Sequence, residues 1–212
     1  MIERLHWLGH SSFRWQGSKT VYFDPWKLSK NADKSDIICV SHEHYDHLSK
    51  PDIAAVSTPD TVIFTSEEGR KQLISSKIGC KEVREMVPGD SIDLPGVKIE
   101  AVASYNVNKG FHPKHAKNLG FIVTMDGLSV YHAGDTDLIS EMDELKCDVA
   151  LLPVCGTYVM TADEAAEAAL RIKPKVAVPM HYGDIVGKVS DARRFESDLK
   201  GKIEVKILRK EE

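Results

Sequence analysis

Ser41-His42-Glu43-His44-Tyr45-Asp46-His47 follows directly on the apolar run Ile37-Ile38-Cys39-Val40. That run is rich in β-branched residues and bounded by Asp36 and Ser41, so it reads as a buried strand opening into a loop. Side chains two apart in an extended or tightly turning segment point the same way, so His42 and His44 can converge on one point while Asp46 and His47 turn toward another. Clustered His and Asp beside a buried strand must be paired, solvated or metal-bound. Imidazole nitrogen together with carboxylate oxygen suits zinc, manganese or iron, whereas calcium takes oxygen donors.

At these residues the chain resembles the metallo-β-lactamase superfamily, whose His-x-His-x-Asp-His signature is met by His42, His44, Asp46 and His47. Later segments match in order, and the resemblance covers nearly the whole chain. It implies an α/β fold: a four-layer αβ/βα sandwich with mixed sheets. Runs of strands with strand–helix units in each half fit the same architecture. Gly9-His10-Ser11-Ser12 and Asp24-Pro25-Trp26 are similar to the opening of the branch that includes ascorbate-phosphate lactonase. That likeness puts His10 near the site as a candidate substrate contact.

With 212 residues and no linker dividing them, the chain is expected to form one domain, 1–212. Charged residues make up 28% and hydrophobic ones 42%, ordinary for a globular enzyme, and no apolar run approaches the roughly 18 residues that span a bilayer. The start, Met1-Ile2-Glu3-Arg4-Leu5-His6-Trp7, has no apolar signal core, so a cytoplasmic location is expected. Cys39, Cys80, Cys147 and Cys155 are scattered and read as reduced thiols. A net charge of −4 argues against binding nucleic acid by phosphate neutralisation. The expected partner is a small-molecule substrate, with neither nucleic acid nor membrane; a homo-oligomer is compatible with this composition.

Ile2 to Leu8, Ser12 to Gln16 and Thr20 to Phe23 read as an antiparallel meander. Beyond the motif, strands are predicted over Thr61 to Thr65, Glu82 to Val87, Ser91 to Leu94 and Val97 to Ala103, with a helix opening at Ser66. Asp126-Gly127 is a hairpin turn between Gly120 to Met125 and Leu128 to His132. A helix from about Leu138 to Leu145 and a buried strand from Val149 to Pro153 come next. Thr161 with Glu164 is a capping box for an Ala-rich helix ending before Pro174. A strand over Val176 to Val178, a helix from Asp191 to about Lys200 and a strand from Lys202 to Leu208 close the chain.

The polar stretch Tyr105 to Lys117 has neither period and reads as a loop carrying two candidate ligands, His112 and His115. The family branch places a ligand at the matching Phe-His-Pro step, and Pro113 stiffens the following position, which favours His112. Lys109 and Lys114 make this loop basic, so both are candidates to hold an anionic substrate group. Asp135 follows a strand and Gly134, and His181 follows another strand, as His42 does. Tyr158, after Cys155, is a further candidate substrate contact.

Grouped as the resemblance implies, His42, His44 and His112 hold one divalent metal, Asp46, His47 and His181 hold another, and Asp135 bridges them. Zinc and manganese fit best. Such a pair lowers the pKa of a shared water from about 15.7 toward 7, giving a metal-bridging hydroxide with Asp46 and Asp135 as its catalytic carboxylates. The expected reaction is hydrolysis of a small lactone, ester or phosphodiester, with a phosphorylated lactone among the candidates. Other members of the superfamily are di-iron redox proteins or cleave RNA, and a non-catalytic metal-binding module shares the ligand set.

Overall fold

The computed structural model describes residues 2–211. Strands β1 (Leu5–Gly9), β2 (Ser12–Gln16) and β3 (Thr20–Phe23) form the predicted antiparallel meander. Next to them lie β4 (Ile37–Val40), β5 (Val62–Thr65) and β6 (Glu82–Glu85), all parallel to β3. Strand order follows chain order in this six-stranded sheet.

The second sheet has seven strands. Its antiparallel half is β7 (Ser91–Leu94), β8 (Val97–Ala103), β9 (Leu119–Met125) and β10 (Leu128–His132). Its parallel half continues from β10 through β11 (Val149–Pro153), β12 (Val176–Met180) and the short β13 (Glu204–Val205). Both φ angles of the Asp126-Gly127 turn are positive, 52° and 74°, as a two-residue turn matching the strand twist requires.

Alternation along β4 shows why the sheets stack. Ile37 and Cys39 face the core shared with the second sheet, where Phe13, Phe23, Phe64 and Phe121 are buried. Ile38 and Val40 face the other way, packing with Ile53 of α1 (Lys50–Val56) and Leu73 of α2 (Glu67–Ser75). A strand covered on both faces must be apolar throughout, and β4 is. On the second sheet lie α3 (Ala162–Ile172), capped by Thr161 with Glu164 as predicted, and α4 (Val189–Leu199). Ala165, Ala169 and Phe195 bury those helices. The result is the predicted αβ/βα sandwich.

Several boundaries differ from the sequence reading. Residues Ser140–Glu144 form a 3-10 turn rather than an α-helix. Asp137 N bonds Tyr105 O and the chain must re-enter the sheet at Val149, so a tighter turn fits. The closing strand shrinks to Glu204–Val205, because β12 pairs with it over only two residues. The seven-residue α1, opened by Pro51 in its first turn, is too short to show a period and was not foreseen. Among the described residues no helix is long and apolar enough to cross a membrane.

Candidate metal centre

The site gathers at one edge of the sheets, where parallel strands end and polar loops leave. His42 to His47 follow β4, Asp135 follows β10, Tyr158 follows β11 and His181 follows β12. His112 comes from the loop between β8 and β9. His10, Asp24, His112 and His181 all have positive φ, between 43° and 60°. Such a conformation in non-glycine residues costs roughly 1–3 kcal/mol each and concentrates at functional sites.

His42 Nε2, His44 Nδ1 and His112 Nε2 converge, with His44 Nδ1 3.0 Å from His42 Nε2 and 3.1 Å from His112 Nε2. Burial lowers the pKa of His42 strongly and that of His112 as well, so both are neutral near pH 7. Three imidazole nitrogens facing one another present lone pairs to a common point, which a cation satisfies. Their spacing approaches the roughly 3.3 Å edge of a tetrahedron with metal–nitrogen bonds of about 2.0–2.1 Å.

A second set comprises Asp46, His47, His181 and His10, whose ligand atoms all lie within 4.8 Å of one another. Asp135 sits between the sets. Its Oδ2 is 3.1 Å from His181 Nε2 and 3.6 Å from His112 Nε2, and its Oδ1 is 3.3 Å from His47 Nε2. Asp135 Oδ1 and His47 Nε2, both buried, face each other at 3.3 Å without an aligned hydrogen bond. Buried polar atoms left in so poor a geometry are expensive in a folded chain, and a metal between them accounts for it. The donor set therefore fits bound metal.

Electrostatics of the metal-free chain agree with this placement. Burial would raise the Asp135 pKa, but His181 and His47 outweigh it and hold the carboxyl well below its usual range. For His181, burial pulls downward while Asp135 pushes upward, and the result is about 10. His47 is likewise raised, by Asp135 and Asp24 against its burial. Carboxylate and imidazolium thus hold each other charged where metal would sit.

A supporting layer orients these rings. His47 Nδ1 donates to Asp24 Oδ2 at 2.7 Å, and Asp24 also accepts from Ser41 N and Ser41 Oγ. His42 Nδ1 stands 2.9 Å from Ser41 Oγ, and His181 Nδ1 3.3 Å from Cys155 Sγ. The supporting roles of Asp24 and Ser41 were not read from sequence. Their one signal is position: each stands at the end of a neighbouring parallel strand.

Other candidates fall elsewhere than expected. His10 is fully buried among Trp26, His47 and His181, so it cannot meet substrate; its Nε2 lies 3.1 Å from Asp46 Oδ2 and steadies that carboxylate. Lys109 bonds the buried Asp137, and Lys114 bonds Glu141 at 2.9 Å and Tyr105 Oη at 3.2 Å. Neither lysine lines the cavity at the site: Lys109 pairs with the buried Asp137 and Lys114 with Glu141 at the surface. His115 is exposed and His112 buried. His132, not a site residue in the sequence reading, stacks on Phe23 with its Nε2 2.8 Å from Ser11 O, and serves the core.

Above the donor atoms opens a cavity of about 260 Å³. Tyr158 lines it, with Tyr45, Phe111, Ile185 and Val186, while Asp46, Asp135, His44, His112 and His181 form its polar side.

A family model described as "Beta-lactamase superfamily domain" matches residues 4–181. The chain belongs to the beta-lactamase superfamily. Within this superfamily it is 34% identical, over 96% of its length and 92% of the relative's, to a UPF0173 metal-dependent hydrolase of Methanoculleus marisnigri. A second UPF0173 metal-dependent hydrolase, from Thermoplasma acidophilum, is 31% identical over 92% of this chain and 89% of that one. The chain belongs with these metal-dependent hydrolases. Among solved structures, one assigned as a metal-dependent hydrolase from Parabacteroides distasonis superposes with a TM-score of 0.85 at 36% identity, covering 98% of this chain and 93% of that chain. Igni18, a metallo hydrolase from Ignicoccus hospitalis, gives 0.81 at 26% identity, covering 98% and 95%.

Proposed function

We propose that this metal-dependent hydrolase is dinuclear and cleaves a small ester or lactone. The observation that carries this reading is Asp135: one buried carboxylate within 3.1–3.6 Å of three histidine nitrogens drawn from two ligand sets. Imidazole and carboxylate donors suit zinc or manganese. When bound, the ions would polarise a carbonyl oxygen and bring a water's pKa toward 7.

The chain's own residues supply position and proton handling. His42, His44 and His112 would hold one ion, Asp46, His47 and His181 the other, with Asp135 shared. Asp46, its side chain 15% exposed, lines the cavity and has its Oδ2 fixed by His10, so it can orient an attacking water and accept its proton. Its pKa lies below the usual value: burial raises it, but the His10 hydrogen bond and the His47 charge prevail, leaving it ionised near neutrality. A cavity of this size admits a compact substrate.

The test is metal stoichiometry by mass spectrometry on tag-free protein, with Asp135→Ala and His112→Ala, followed by an ester and lactone panel with metal restored. About two zinc or manganese ions per chain, reduced in both variants, with turnover of a carboxylic ester or lactone, is expected. A single ion unaffected by Asp135→Ala would sink the dinuclear reading.

A further inference from the structure

The cavity walls and the ion pairs around them bear on which substrate the proposed hydrolase takes, so the inference rests on the hydrolase reading. Phe111 and Tyr158 meet edge to face, ring centroids 4.9 Å apart. Ile185 and Val186 line the same cavity. Phe111 remains 51% exposed and Ile185 39%, so large apolar surfaces stand open at the mouth of the site. Left to solvent, such surfaces are costly, and beside a reactive centre they mark a binding wall.

The charges exclude a different ligand. Among the described residues no Lys or Arg lines this cavity. Lys109 is bound to Asp137 and Lys114 to Glu141, and Lys27, on the neighbouring loop, is 2.7 Å from Asp184. A phosphate or carboxylate on the substrate away from the scissile bond would therefore find no cationic partner and would lose its hydration.

We infer that the acyl portion of the substrate is uncharged and carries an aromatic or branched aliphatic group, held between the Phe111–Tyr158 pair and Ile185–Val186. These are specificity residues: they touch substrate away from the reacting atoms. A bulky apolar acyl group is worth about one to two orders of magnitude in kcat/KM over acetyl.

The experiment compares methyl acetate, methyl 3-phenylpropanoate and monomethyl succinate on metal-loaded protein. Methyl 3-phenylpropanoate is expected to exceed methyl acetate at least about tenfold in kcat/KM, with the succinate ester no better than acetate. Phe111→Ala should raise KM for methyl 3-phenylpropanoate about tenfold with metal content unchanged. Preference for the succinate ester, or equal rates on all three, overturns the inference. A binding readout separates this from failure of the hydrolase reading: saturation-transfer NMR with 3-phenylpropan-1-ol, which has no acyl bond to cleave. Ring saturation in the parent protein that disappears in Phe111→Ala supports the apolar wall even if no ester is turned over; absence of binding rejects it.

Discussion

Asp24 Oδ2 accepts the Nδ1 proton of His47 at 2.7 Å, with both side chains buried. The bond fixes which nitrogen of His47 faces the metal centre. Asp24 accepts two further hydrogen bonds from Ser41, so one carboxylate orders both ends of the signature loop. Asp24→Ala should weaken metal binding about 10–100-fold. Competition with a chelating dye checks this, and unchanged affinity would remove Asp24 from the support of the site.

Lys109 and Asp137 tie down the loop that presents His112. The buried Asp137 carboxylate also accepts from Val107 N and Asn108 N, so it gathers the whole turn. Lys109→Met leaves that carboxylate without its cation and should destabilise the protein by about 2–3 kcal/mol. Urea unfolding measures it. Metal stoichiometry in the same variant should fall below that of the parent.

Gly134 has φ +64°, and a Cβ there would lie 2.6 Å from Leu119 O, a backbone atom in the adjacent strand. Nothing soft can give way. Gly134→Ala is expected to cost about 1–3 kcal/mol and to displace Asp135 next to it. A thermal midpoint equal to that of the parent would contradict the close approach.

Metal uptake should release protons. In the metal-free chain His181 is raised to about 10 and His47 is also raised, so both are protonated near neutral pH. A metal takes the lone pair that each proton occupies. Calorimetry at about pH 7.5 in two buffers of different ionisation enthalpy should therefore show a net release of about one to two protons per chain. The sign comes from the upward shift: release persists below the raised values and fades as pH climbs through about 10. No buffer dependence would mean the histidines were already neutral.

Thr161 closes a capping box with Glu164, accepting from Glu164 N while Glu164 Oε2 accepts from Thr161 N. Thr161→Ala should lower stability by about 1 kcal/mol without altering metal content, since α3 lies behind the second sheet. Loss of metal in this variant would show that the helix supports the site more directly than its position indicates.

Most strand positions, the hairpin at Asp126-Gly127 and the cap at Thr161 were legible in the sequence, because each is dictated by neighbours a few residues away. An apolar run bounded by polar residues or two left-handed turn residues carry their structure locally. What lay beyond reach depended on partners far along the chain. Lys109 and Lys114 read as free cations, and only the packed fold brings Asp137 and Glu141 against them. His10 read as a substrate contact, and only the meeting of the β1–β2 turn with the end of β12, where His181 N donates to His10 O, buries it behind Asp46. Asp24 carried no chemical signal until β3 and β4 lay side by side. Local backbone preference and ligand spacing thus determined the architecture and the metal-binding motif, while long-range packing decided which charges remain available and which wall the cavity presents.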